Sequence, residues 1–377
     1  MLTRRLTITD RLRSRPIGLV GPGDFAATPG TAIEPETIVS DPNFSLYCLD
    51  PQNNAVLFVE CADPAAVDGA PFYYQAQAEH AIGLVSMPVE TFHRVGRQIP
   101  YPSGNLIFVH STGRCGSTLV SKALAGVPSV QSLSEPDDLT QMVSLRVAGV
   151  LDDTALAALI ESSTRWRCKA RTGAHPSHVA IKTRSEVIVL ADLVARVFPD
   201  ARHLFLYRNA ISWMATLFRA FPMDRDPYDM TANREMANGW SRMLPLAGEF
   251  VRSGTPLNQI QIRILAWITC MEGYFVLRER SVPLAAVRFE DLTNDPIAAL
   301  EGIFEFLGVE IDDWRSIEDV LSRDSQAGTI YDREERKKGK RELTEDLIQD
   351  IRELVASRPL ISSTDRVLPG TILADKV

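Results

Sequence analysis

Residues 106–124, LIFVHSTGRCGSTLVSKAL, constrain the fold more than any other stretch of the chain. The run Leu106, Ile107, Phe108, Val109 is uninterrupted and apolar, which predicts a strand buried on both faces. A small turn carrying two glycines follows over 111–118. Leu119, Val120, Ala123 and Leu124 then recur at helical spacing, with Ser121 and Lys122 between them. A strand, a glycine turn and a helix N-terminus together cradle an anion. The first helical N–H groups are unpaired, the helix dipole is positive there, and glycine lets the backbone close on a phosphate. The stretch is not a Walker A loop, which requires G-x-x-x-x-G-K-[ST]. Aligned on Gly116, Ser111 stands at the first glycine and Ser117 at the lysine. The loop still has a cation, Arg114, two residues before Gly116. A phosphate-like group is expected against Gly113, Arg114, Cys115, Gly116, Ser117 and Thr118.

Strand and helix signals alternate from here to the C-terminus. Strands are predicted at 129–133, 178–182 (HVAIK), 203–207 (HLFLY) and 284–289 (LAAVRF). Helices are predicted over 186–198, 210–221, 260–280, 295–307 and 344–356, the fourth with Asp295 or Asn294 as cap, Pro296 in its first turn and Gly308 just beyond it. Such alternation implies a parallel sheet covered on both faces, with ligands at the carboxyl ends of its strands. The fold class is therefore α/β, a P-loop-type parallel sheet flanked by helices over 101–377. Residues 1–100 read as a small β-rich domain or extension, with strands at 44–49, 55–59 and 82–85. Asp50-Pro51-Gln52-Asn53-Asn54 forms the turn between the first two. Residues 1–40 show little periodicity and are expected to be irregular.

A net charge of −8 over 377 residues argues against general nucleic-acid binding, which needs clustered phosphate contacts. Cys48, Cys61, Cys115, Cys168 and Cys270 are scattered and lack C-x-x-C spacing, so neither a disulfide framework nor a zinc site is expected. Cys115 reads as a small residue filling a tight turn rather than a reactive thiol. No run approaches the roughly 18 apolar residues of a membrane span. A soluble, cytoplasmic protein is expected, with homo-oligomerisation left open.

Arg208 ends the HLFLY strand, and Thr216 follows eight residues later on the next helix, so both can face one side. A guanidinium and a hydroxyl converging there would hold a second phosphate. The spacing is equally compatible with a surface arginine and a helix-face threonine that never meet.

With both groups in view, the chain resembles the sulfotransferases that use 3′-phosphoadenosine 5′-phosphosulfate (PAPS). The resemblance lies in Arg114-Cys115-Gly116-Ser117-Thr118, in the Arg208 and Thr216 pair, in the Phe198 to Ala201 run, and in Val287 to Leu292 with Asp295-Pro296 and Phe306-Leu307-Gly308. It covers about residues 105–356. It implies that the loop holds the 5′-phosphosulfate, that Arg208 and Thr216 hold the 3′-phosphate, and that the basic segment with Lys337, Lys338 and Gly339 reaches the nucleotide. The tryptophan pattern that often follows that segment is absent, and a solvated basic face is the other reading.

Sulfuryl transfer resembles phosphoryl transfer in outline, so positioning and charge stabilisation carry it. Arg114 is assigned to the leaving oxygen, and no metal is required. Glu135, in Ser134-Glu135-Pro136, is the candidate base, since carbohydrate-type members often carry Glu-Pro there; a surface carboxylate is the alternative. His110 is the second candidate base. Lys182 is a candidate contact to sulfate or acceptor, with a structural ion pair as the competing reading. Glu290-Asp291 reads as a structural turn, the stripe of Trp213, Met214, Trp240 and Met243 as core, and the loop 221–230 as an acceptor lid. The expected acceptor is a small molecule or carbohydrate bearing a hydroxyl or amine. A P-loop kinase or NTPase, and a non-catalytic nucleotide- or glycan-binding protein, are the alternatives.

Overall fold

The computed structural model describes residues 2–14, 17–170, 175–220, 229–323 and 342–373. Among the described residues, ten strands form two five-stranded sheets. The second half builds a wholly parallel one from β6 (Leu106–Ser111), β7 (Val130–Ser134), β8 (His178–Lys182), β9 (Arg202–Tyr207) and β10 (Leu284–Arg288), in the order β10-β9-β6-β8-β7. All residues of β6 and β8 are buried, as a strand sandwiched between helix layers requires. β6 lies between β8 and β9, where the strand order reverses, so the loop after it opens into the crevice at the switch point.

The covering helices include α1 (Ser117–Ala125), α2 (Asp138–Val147), α3 (Asp153–Arg167), α4 (Ala210–Ala220), α5 (Met230–Trp240), α6 (Gln259–Glu279), α7 (Pro296–Leu307) and α8 (Glu345–Ala356). Their ends follow the capping chemistry. Asn258 and Gln261 form a capping box on α6, Asp295 accepts from Ala298 N–H on α7, and Gly308 closes α7 in the left-handed region. By length and composition α6 is apolar enough to cross a membrane, contrary to the expectation that no stretch would be; 67% of its apolar window is buried, so that apolarity serves the core. The helix expected over 186–198 is divided into a 3-10 turn, Ser185–Leu190, and a short α-helix, Ala191–Val197. Ile188 of that turn packs directly on Gly273 of α6, where a Cβ would lie 2.4 Å from it.

Residues 1–40 are not irregular. β1 (Arg4–Arg11) and β2 (Phe25–Ala32) pair antiparallel and extend a sheet completed by β3 (Phe44–Asp50), β4 (Ala55–Cys61) and β5 (Ala81–Pro88), in the order β2-β1-β5-β4-β3. These two strands escaped notice because they lie at the sheet's outer side, largely solvated on both faces. They carry the charges, Pro29 and Gly30 of an edge, and in β1 only Leu6 and Ile8 alternate as apolar residues toward the core. The inner strands are apolar and share one cluster with the parallel sheet: Phe44, Val56 and Phe58 pack with Phe108, Ile181 and Trp166. Trp166 of α3 donates from Nε1 to Phe92 O at 3.0 Å, and Lys169 donates to Ile38 O and Asp41 O at 2.7 and 2.6 Å. The N-terminal sheet is thus packed onto the parallel one.

His110 and His203 sit side by side in the parallel sheet, with Nε2 of the first 3.0 Å from Nδ1 of the second and their rings stacked at 5.3 Å. Burial holds His203 down to about 4 and His110 well below its ordinary value. A histidine that resists protonation when folded takes up its proton on unfolding. Its contribution is therefore intact above the unfolded value near 6.5 and is lost as pH falls toward 4. His203 alone should remove about 3 kcal/mol over that window. Urea unfolding as a function of pH should show this loss, and His203→Gln should flatten it; equal pH slopes in the two proteins would contradict the assignment.

Candidate active site

The loops after all five parallel strands meet at one cavity of about 750 Å³, a size suited to a nucleotide-scale ligand. Its floor is the loop after β6. Gly113, Arg114 and Gly116 have φ of 75°, 56° and 86°, a left-handed sequence that only glycine adopts without cost. Gly116 is doubly required, because a Cβ there would lie 2.7 Å from Leu292 Cδ2. It stands at the N-cap of α1 and supplies no side-chain cap, so the first-turn N–H groups face the cavity beside Ser117 and Thr118. Three bonds pin the loop. Thr112 N–H donates to Leu206 O at 3.0 Å, Trp213 Nε1 to Thr112 O at 2.8 Å, and Gly113 N–H to Ser111 Oγ at 3.2 Å. Arg114 lines the cavity. Cys115 turns away: it is fully buried, its Sγ lies 3.3 Å from Leu206 O, and burial pushes its thiol up. Its side chain fills space, and only its backbone belongs to the cradle.

Arg208 and Thr216 both line this cavity. Arg208 donates from Nη1 to Arg114 O at 3.4 Å and from Nε to Ser212 Oγ at 2.8 Å, and its guanidinium lies 4.1 Å above the Phe289 ring. Thr216 Oγ1 donates to Ser212 O at 3.0 Å. Ser212 thus bridges the pair, four residues from each. That spacing was present in the sequence, although only the eight-residue interval drew attention. Asn209 Oδ1 accepts from the N–H groups of Ile211 and Ser212 at 2.9 and 3.2 Å, which starts α4 where Arg208 is held. Burial draws Arg208 down from its ordinary value and Glu290 pushes it back, so an anion beside it would replace lost hydration.

Glu135 and Lys182 form an ion pair at the ends of β7 and β8. Glu135 holds φ at 64°, and its N–H donates to Lys182 O at 2.6 Å. A strained non-glycine backbone at a cavity wall is an observation that points to function. Both side chains line the cavity, and Lys182 also satisfies the ion-pair reading. His110 does not belong here. It lies in the sheet interior against His203 and Phe108, because its strand position points it into the core. Glu290 holds Asn209 N–H at 3.3 Å and pairs with Arg288 at 3.5 Å, consistent with a structural turn. Trp213 packs in the core as expected, but it and Trp240 line the cavity as well. Lys337, Lys338 and Gly339, and residues 221–228 of the expected lid, lie outside the described residues. Among the described residues, no three His, Cys, Asp or Glu side chains are grouped to hold a metal ion.

The N-terminal half contributes residues that the motifs did not indicate. Ile17, Phe72 and Tyr74 line the cavity, and Arg184 joins them to its wall.

Comparison with known proteins matches the profile of the sulfotransferase family to residues 106–313. No curated protein sequence matches significantly. Among solved structures the chain is similar to a sulfotransferase of Mycobacterium tuberculosis H37Rv, at 13% identity and a TM-score of 0.41 over 70% of this chain and 79% of that one. It is similar to a sulfotransferase from Alicyclobacillus acidocaldarius at 15% identity and a TM-score of 0.37, over 69% and 93% of the two chains. It is also similar to retinol dehydratase in a complex with retinol and PAP, at 12% identity and a TM-score of 0.34 over 86% and 99%.

The loop geometry yields a direct test. Gly116→Ala combines an unfavourable φ with a clash at Leu292, and should destabilise the protein by about 1–3 kcal/mol. Thermal unfolding measures this, and an unchanged midpoint would show that the loop does not need the left-handed turn.

Proposed function

We propose, from the premise that this chain belongs to the sulfotransferase family, that it transfers a sulfuryl group from PAPS to a hydroxyl or amine of a small-molecule or carbohydrate acceptor. The observation that carries this reading is the bond from Arg208 to the Arg114 carbonyl, which joins two anion-binding groups on one cavity. A nucleotide phosphorylated at two places fits that pairing. The cradle that a Cβ at Gly116 would disturb and the uncapped start of α1 suit the 5′ end.

In this reading the N–H groups of 113–118 and the hydroxyls of Ser117 and Thr118 hold the phosphosulfate. Arg208, with Ser212 and Thr216 behind it, holds the 3′-phosphate. PAPS supplies an activated sulfuryl group, whose bond to the bridging oxygen breaks as a new bond to the acceptor oxygen or nitrogen forms. Arg114 stands where charge collects on the bridging oxygen and stabilises it without a metal ion. Its guanidinium remains charged throughout, so it acts by charge rather than as a proton donor. Glu135 receives the acceptor's proton, and Lys182 holds the carboxylate in place.

Two outcomes follow. The 3′,5′-bisphosphate product should stabilise the protein by about 2.7 kcal/mol at a hundred times its Kd, and ATP with magnesium much less; equal stabilisation in a thermal-shift titration would sink the reading in favour of an NTPase. Glu135→Gln should lower turnover by about 100-fold while leaving the bisphosphate shift intact. An unchanged rate would remove Glu135 as the base.

A further inference from the structure

The acceptor end of the cavity is walled by residues that precede the stretch matched to the family. Tyr74 is the second residue of the short helix Tyr73–His80 and is 2% exposed, yet it lines the cavity. Two guanidinium groups lie over its ring, Arg184 at 4.1 Å and Arg13 at 5.5 Å. Arg184 pairs through Nε with Asp137 Oδ1 at 2.8 Å and donates from Nη2 to Oδ2 at 3.1 Å. It also donates to Ile17 O at 3.1 Å and Gly18 O at 3.3 Å. Asp137 completes the fastening by accepting from Val20 N–H at 2.9 Å. On the other flank, Ser134 Oγ donates to Pro71 O at 2.8 Å, beside Glu135. Residues 17–20 and 71–74 are therefore strapped across the ends of β7 and β8.

Two ion pairs stand along this wall. Lys182 is paired with Glu135 and Arg184 with Asp137. Among the described residues nothing hydrogen-bonds the Tyr74 hydroxyl. Burial pushes its phenol up, Arg184 draws it down and the nearby Glu135 carboxylate pushes it up again, so it stays a neutral donor. Next to it are Phe72 and Ile17, the latter 40% exposed although large and apolar. A phenol hydroxyl set beside two apolar side chains suits a ligand that carries a hydroxyl on an apolar body. A polyhydroxyl ligand would leave its other hydroxyls unpaired there.

We propose that the N-terminal strap forms the acceptor wall, with the Tyr74 hydroxyl hydrogen-bonding the acceptor's reacting hydroxyl beside Glu135, and Ile17 and Phe72 taking its apolar body. The inference rests on the sulfotransferase reading and adds a positioning residue and an acceptor class to it. The test uses the full-length protein, PAPS and 2-naphthol as the probe acceptor, with N-acetylglucosamine as the contrast. Sulfated naphthol is expected. Tyr74→Phe keeps the ring under its two arginines and should lower kcat/KM for naphthol about tenfold, chiefly through KM. Ile17→Asp, at a partly exposed position, should do the same. Neither variant should alter the thermal shift given by the bisphosphate. Unchanged kinetics in both variants, or transfer to the sugar and not to naphthol, or no transfer to naphthol by a protein that binds the bisphosphate, would each overturn the proposal. Absence of a bisphosphate shift in the wild-type protein would instead remove the sulfotransferase reading on which it rests.

Discussion

The site depends on a short stretch of backbone held in an unfavourable conformation. Gly113, Arg114 and Gly116 lie in the left-handed region, and an arginine there resists that geometry on its own. The loop persists because its surroundings over-determine it. Trp213 reaches from α4 to Thr112 O, Leu206 of β9 accepts from Thr112 N–H, and Leu292 occupies the space that a side chain at Gly116 would need. The same elements position Arg208, the second group of the proposed site. Arg208 follows β9 directly, Trp267 of α6 donates to its carbonyl at 2.9 Å, and its Nη1 returns to Arg114 O. One set of contacts therefore shapes the cradle and fixes its distance from Arg208.

Paired charges govern the rest of the cavity. The Glu135–Lys182 pair is largely buried, so removing either partner leaves the other desolvated and alone. That is why a change in rate at Glu135 carries meaning only beside a measurement of cofactor binding. The Arg184–Asp137 pair has a different part. Its guanidinium spends its remaining donors on the carbonyls of residues 17 and 18, and so converts a buried charge into a fastening for the N-terminal segment. Burial pushes the Asp137 carboxyl up to about 6 despite that partner, so this fastening responds to mild acid.

The parallel sheet was legible because strands covered on both faces must be continuously apolar. HVAIK is observed at its predicted limits, and HLFLY gains only Arg202. The loop was legible because a left-handed turn before a helix start demands glycine at fixed spacing. Other features depended on tertiary neighbours. β1 offers only Leu6 and Ile8 as an apolar alternation, too short a signal for an outer ribbon that is mostly solvated. His110 ends an apolar strand near the loop, and only the neighbouring His203 shows that it faces the core. Ser212 acts through Arg208, and Tyr74 reaches the cavity across 61 residues of chain from Glu135, which no local pattern encodes.

The central claim is that the loop and Arg208 read two separate phosphates of one nucleotide. Calorimetric titration of adenosine 3′,5′-bisphosphate and adenosine 5′-monophosphate into the wild-type protein and Arg208→Ala tests it most directly. The account predicts that the wild type favours the bisphosphate by at least about tenfold, or 1.4 kcal/mol, and that Arg208→Ala binds the two nucleotides alike. A preference that survives the loss of Arg208, or none in the wild type, would contradict it.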